Sequence, residues 1–289
     1  MKRHAMPKLS SSGELVLAEY GQTLLKHEDL APTIIRNYLS NIRHFMVWYE
    51  SHLDNEVQIF TPQTVTTPDL TRYSAYLQTD QRQRTSSVNR SLIRLKRYFG
   101  WALKCRIIYY DPSAPVKLVE QEDIAPRHLD NQEVQAMVAT VTKQGTLRDH
   151  VLIVLLLHIG LRAREICRLR RDQLKLGKRS GTLEVIGKRN KYREVPLNIT
   201  ARKALEEYLP TLPAGTSFLV PSTNKREKAL SERALGYIVK KYASSAKLPD
   251  VSLHDLRHRF GYRMAESVPL HRLAQIMGHV SLDTTKIYI

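Results

Sequence analysis

The chain has 289 residues, with 45 Lys and Arg against 28 Asp and Glu, a net charge of +17. Hydrophobic residues make up 42% of it, which excludes a disordered chain and allows two domains with real cores. So large a basic excess points past an ordinary solvated surface to a polyanionic partner, bound by releasing counterions from phosphates.

Residues 1–120 hold 16 basic and 11 acidic side chains, and the remainder holds 29 and 17, so the charge is not one basic tail. Only Cys105 and Cys167 are present, without a CxxC pattern. A disulfide framework or zinc knuckle is therefore not expected, and a reducing, cytoplasmic setting is. The apolar run 151–157 is far short of the roughly 20 residues of a membrane span, and no apolar signal core follows the basic N-terminus. No membrane partner is expected.

In chain order, helical apolar spacing runs over 13–29 through Leu15, Leu17, Tyr20, Leu24 and Leu25. Pro32 breaks it. Thr33 opens a second helix whose broad apolar stripe includes Ile35, Tyr38, Leu39, Ile42, Phe45, Met46, Trp48 and Tyr49. A third helix opens at Thr67-Pro68. A fourth, capped at Thr85-Ser86-Ser87, interleaves Arg90, Arg94, Lys96 and Arg97 with Leu92, Ile93, Leu95, Tyr98 and Phe99. Asp111-Pro112-Ser113-Ala114-Pro115 ends this helical block, and the following stretch, with little apolar periodicity, reads as a linker. The domains expected are 12–117 and 128–289, joined by 118–127.

Asp130 or Asn131 caps the next helix. A buried helix over 147–159 ends at Gly160, and the run 164–174 reads as one further helix. Then the period changes to two: 181–187 and 192–197 form a small hairpin around the polar turn 188–191, with Pro196 at an edge. Helices follow over 201–212, 231–246, 253–267 and 268–279. The fold class is mainly α with a small antiparallel sheet.

Five pieces of the second half carry chemistry. Arg162 follows a helix-breaking glycine in GLRARE, so its guanidinium leaves a turn. The basic tip GKRNKYR lacks nucleotide P-loop spacing but suits a nucleic-acid groove. In HDLRH, His254 and Arg257 share a helix face. His254 and His258 have the spacing of an HExxH zinc site, but the base position holds the shorter Asp255, and Arg257 and Arg259 sit badly beside a metal. Gly278-His279 and Tyr288 complete the set.

The order Arg…Lys…His-x-x-Arg…His…Tyr resembles the signature of the tyrosine recombinases of the phage-integrase family, Xer-like in type, over nearly the whole chain. GLRAREICRL, IGKRNKYREVPL, HDLRHRF and IMGHVSLDTTKIY resemble its catalytic boxes. The resemblance implies a helical, SAM-like core-binding domain followed by an α+β catalytic domain. It implies Arg162, Lys188, His254, Arg257, His279 and the nucleophile Tyr288 as catalytic residues, with Glu165 in support. The partner implied is a double-stranded DNA recombination site, clamped between the domains, with self-association on it from dimer to tetramer. Arg90, Arg94, Lys96 and Arg97, with Arg189 and Lys191 at the hairpin tip, are the candidate DNA contacts. The family continues past the tyrosine into a tail, whereas only Ile289 follows here, a departure that bears on cyclic assembly more than on strand cleavage.

These residue types suit a phosphodiester. Two guanidiniums can hold its non-bridging oxygens by paired hydrogen bonds that an ammonium cannot copy, and His279 adds a donor. A phenol titrates near 10; nearby cations are expected to favour the phenolate, with His254 accepting its proton or orienting the acceptor. Lys188 would protonate the leaving 5′-oxygen. The product is a 3′-phosphotyrosyl protein, and a second 5′-hydroxyl reseals the strand. Exchanging one ester for another needs no cofactor: neither ATP nor metal. The rivals are a type IB topoisomerase, a catalytically idle DNA-binding regulator on the same fold and, third, a zinc hydrolase at HDLRH.

Overall fold

A computed structural model describes residues 8–27, 30–52, 59–121, 126–187, 192–223, 228–279 and 281–289. They divide into two compact units, Met1–Asp123 and Ile124–Ile289.

The first unit holds α1 (Ser11–His27), α2 (Pro32–His52), α3 (Thr67–Thr79) and α4 (Thr85–Lys104). Thr66 and Asp69 start α3 as a capping box, with the Thr66 amide and hydroxyl donating to Asp69 Oδ2 at 2.9 and 2.6 Å. The core is aromatic. Phe45 sits edge-on to Phe60, Tyr73 and Phe99, with ring centroids 6.2, 5.0 and 6.2 Å away, so truncating it would cost about 3–5 kcal/mol. The stripe expected on α2 is found, with Ile35, Ile42, Phe45, Met46, Trp48 and Tyr49 buried. On α1, Leu17, Tyr20 and Leu24 are buried, but Leu15 and Leu25 face solvent.

The second unit holds α5 (Asn131–Gln144), α6 (Leu147–Ile159), α7 (Ala163–Arg168), β1 (Leu174–Leu176), β2 (Gly181–Ile186), β3 (Tyr192–Pro196), α8 (Ile199–Tyr208), α9 (Glu232–Ser245), α10 (Leu253–Ala265), α11 (Leu270–Met277) and α12 (Asp283–Lys286). Every residue of 151–157 on α6 is buried, so this helix is the centre of the core, with α5, α8 and α10 packed around it. The strands form one antiparallel sheet in the order β1-β2-β3, with Leu183 paired to both Leu174 and Val195.

Two elements depart from expectation. The run 164–174 is not one helix: α7 stops at Arg168, because Leu169 accepts the Leu219 amide at 2.8 Å and Arg170 bridges to Phe218. The chain then turns through a 3-10 step at 171–173 into β1, the strand that the hairpin reading lacks.

Candidate active site

The site is organised by the end of α11. A helix leaves its last carbonyls unpaired and slightly negative, ready for cationic donors. Here three arginines take three successive carbonyls. Arg193 Nε donates to Ile276 O at 2.9 Å, Arg257 Nη2 to Met277 O at 2.9 Å and Arg162 Nη2 to Gly278 O at 2.6 Å. Gly278 closes the helix with φ 67°, and a Cβ there would lie 2.8 Å from Arg193 Cζ and 3.2 Å from Arg162 Nη1. Only glycine fits both the left-handed turn and the close approach of the guanidiniums.

Each arginine comes from a different element. Arg162 precedes α7, where its amide donates to Glu165 Oε2 at 2.8 Å and its Nη1 to Oε1 at 3.2 Å. Arg257 lies on α10, only 8% exposed. Its Nη1 donates to the carbonyl of Gly160, the left-handed residue that ends α6. A Cβ at Gly160 would meet the Phe260 ring at 2.2 Å, so the turn is as tightly determined as its partner. Arg193 comes from β3 and grips Glu165 with both ends of its fork, at 3.0 and 2.8 Å.

Two of the three guanidiniums, Arg162 and Arg193, thus pair with one carboxylate, and Arg257 feels its charge without touching it. Burial pushes Arg257 down to about 10, with repulsion from Arg162 adding to it. Burial works against the charge on Glu165 too, but the Arg193 hydrogen bonds and charge, with those of Arg162, outweigh it and hold the carboxyl below its usual range. The surplus is positive and part of it is accessible, since the Arg162 side chain keeps 42% of its surface.

His279 follows Gly278. Its Nε2 is 2.9 Å from Arg257 Nη2 and its Nδ1 is 2.8 Å from Thr285 Oγ1. A guanidinium can only donate, so Nε2 accepts, and Nδ1 carries the hydrogen and donates to Thr285. Burial first, then Arg257 and Arg162, press the imidazole down to about 4, which keeps it neutral near pH 7.

Tyr288 lies just past α12, 6% exposed. Its ring rests on α10 at Gly261, where a Cβ would come within 2.5 Å of it. Tyr262 meets it edge-on at 5.2 Å, and the His279 ring lies nearly parallel at 6.4 Å. The phenol oxygen is 3.0 Å from His258 Nδ1. Burial raises the phenol above its ordinary value against the pull of Arg257. The expectation that cations favour the phenolate is corrected for this arrangement: removal from water outweighs the charge.

Of the residues expected to form the site, Arg162, Glu165, Arg257, His279 and Tyr288 converge. His254 is exposed on α10, one turn before His258. Asp255, the base position of the zinc reading, is spent capping α10: it accepts the Ser252 amide at 2.8 Å and hydroxyl at 2.6 Å. Lys188, Arg189 and Lys191 lie outside the described residues. On α4, Arg90 is exposed, and the guanidiniums of Arg94 and Arg97 each lie over the Tyr38 ring, 5.4 and 5.1 Å from its centroid. Lys96 is turned elsewhere, donating to the carbonyls of Ser113 and Ala114 at 2.7 and 3.2 Å.

Sequence reasoning took Arg193 only as the end of a basic tip and His258 only as half of a zinc spacing, and it missed Thr285. Arg193 had a signal: it falls on the same side of β3 as buried Val195, an arginine at an inward register.

Residues 127–289 match the phage integrase family, and residues 17–108 match the phage integrase N-terminal SAM-like domain. The tyrosine recombinase XerC of Pelobacter propionicus is 29% identical over 90% of this chain and 85% of its own length. XerD of Ralstonia nicotianae is 31% identical over 70% of this chain and 68% of its own. Among solved structures, a lambda integrase (75-356) dimer bound to a COC′ core site superposes with a TM-score of 0.77 at 15% identity, covering 95% of this chain and 94% of that one. The chain belongs to the phage integrase family. It is a site-specific DNA recombinase of the tyrosine class, an enzyme that cleaves and rejoins DNA strands.

Proposed function

We propose that Tyr288 is the nucleophile, forming a 3′-phosphotyrosyl bond, and that Arg162 and Arg257 hold the non-bridging oxygens of the phosphate while His279 adds a donor through reorientation of its ring. The observation that carries this is the α11 terminus, where three guanidiniums and one carboxylate gather beside a buried phenol. A pentacoordinate transition state carries more negative charge than the diester, so a preformed cationic cradle stabilises it selectively. Loss of one such donor costs about 3–4 kcal/mol of barrier, or 100-fold to 1,000-fold in rate. Glu165 supports the cradle by aligning Arg162. Lys188 supplies the proton for the 5′-oxygen.

The segments 12–117 and 128–289 act as core-binding and catalytic domains, with Arg90, Arg94 and Arg97 on phosphates. Arg189 and Lys191 extend the contact from the hairpin tip. The enzyme works in the cytoplasm and self-associates on DNA, a reading supported by the dimer in the lambda integrase complex. The test is a suicide duplex, nicked near a candidate site, incubated with the protein and then denatured. A covalent protein–DNA adduct is expected from the wild type and none from Tyr288→Phe. An adduct of normal yield from the variant would remove Tyr288 from its role.

A further inference from the structure

We propose that His258 is a catalytic residue whose Nδ1 receives the phenolic proton of Tyr288 as the phosphotyrosyl bond forms. The proposal rests on the reading of Tyr288 as nucleophile. It starts from elimination among the groups around one oxygen. A phenol cannot attack phosphorus at a useful rate while it keeps its proton, so an acceptor must lie within hydrogen-bond reach. His258 Nδ1 is 3.0 Å from Tyr288 Oη, with the rings 5.6 Å apart and tilted by 53°.

The neighbours do not qualify. Arg257 has no acceptor atom. Both nitrogens of His279 are committed, Nε2 to Arg257 and Nδ1 to Thr285. Tyr262 meets the ring only edge-on. His254 faces solvent a helical turn away and shares no hydrogen bond with Tyr288 among the described residues. Gly261 lets the ring of Tyr288 lie against α10, where any side chain would collide. For Nδ1 to accept, the imidazole must be neutral. Burial, then the charges of His254 and Arg257, hold His258 below its ordinary value, with Asp255 opposing. His279 and Tyr288 are the other titratable groups that face it.

The step balances. The Oη–H bond breaks and the proton moves to Nδ1. Oη bonds to phosphorus, the bond to the 5′-oxygen breaks, and that oxygen leaves with its electron pair and takes a proton from Lys188. In rejoining, the 5′-hydroxyl gives its proton to the neutral Lys188 amine as its oxygen bonds to phosphorus, the bond from phosphorus to Oη breaks, and the imidazolium returns its proton to Oη. His254, on the exposed side of the same helix, is left to touch the phosphate.

The experiment measures single-turnover adduct formation on the suicide duplex for wild type and His258→Gln, each with tyrosine or a ring-fluorinated tyrosine at position 288. Fluorination acidifies the phenol, so it relieves the need for a base. His258→Gln is expected to slow the reaction about 100-fold with tyrosine and much less with the fluorinated ring. An equal loss with both nucleophiles means a merely structural role, and no loss means no role; either overturns the proposal. If the variant does not fold, imidazole nitrogen NMR on the wild type decides. Nδ1 of His258 bare and accepting supports the proposal, and Nδ1 carrying the hydrogen defeats it. A Tyr288→Phe protein that still forms adduct would instead defeat the nucleophile assignment, whatever His258 does.

Discussion

Arg193 stood in the sequence only as the last residue of the basic tip GKRNKYR, yet it joins β3, Glu165 and the end of α11. Its side chain and that of Glu165 are 13% and 8% exposed. Removing one member of a buried pair leaves the other charge uncompensated, at about 3–5 kcal/mol. Arg193→Ala is expected to lose that much stability in a urea melt. Arg193→Lys keeps the charge but not the fork, so it should recover part of the stability while adduct formation stays slow. Equal recovery of both would mean that the fork does not position Arg162. The residues with a chemical type and a motif, such as Arg162, Arg257 and Tyr288, were legible from sequence. His258 was visible only as half of a zinc spacing, because its contact depends on Tyr288 folding back thirty residues later. Asp255 was legible only as a defect in a zinc motif; its actual partner is the Ser252 cap.

At the scale of elements, long periodic helices were readable and short or context-made ones were not. The limits of α6 coincide with the expected 147–159 because Thr146 caps it and Gly160 stops it. The run through 164–174 misled because its spacing is helical, while pairing of Leu169 with Leu219 ends the helix early. The four residues of α12 are too few to show a period. Gly278 marks the most sensitive turn. Gly278→Ala must adopt φ 67° and push against two guanidiniums, so it should lose about 1–2 kcal/mol from the backbone alone and most cleavage. On α4, Arg94→Ala is expected to weaken DNA binding and reduce the salt slope by about one. Lys96→Ala should leave the slope alone and lower the melting temperature, since its ammonium serves the carbonyls of 113 and 114. A reduced slope for Lys96→Ala would return it to the phosphate contacts.

For the whole molecule, charge is the governing property. Binding constants should fall steeply with salt, as several phosphate contacts require; a flat dependence between low and moderate salt would contradict the extended basic contact. Acid should destabilise the fold in a definite window. His44, His158, His258 and His279 all lie below the ordinary histidine value, chiefly through burial. The unfolded chain therefore takes up protons first, so stability is full above about 6.5 and declines as pH falls toward the value of about 4 for His279. Thermal melts across that range should show the decline, and a melting temperature that rises on acidification would reverse the sign.

The 14 tyrosines of the chain make the identity of the covalent link the sharpest question. Mass spectrometry of the trapped adduct, after nuclease and protease digestion, should find a nucleotide remnant on the C-terminal peptide at Tyr288. A remnant on any other tyrosine, with the C-terminal peptide unmodified, would contradict a site built around the end of α11.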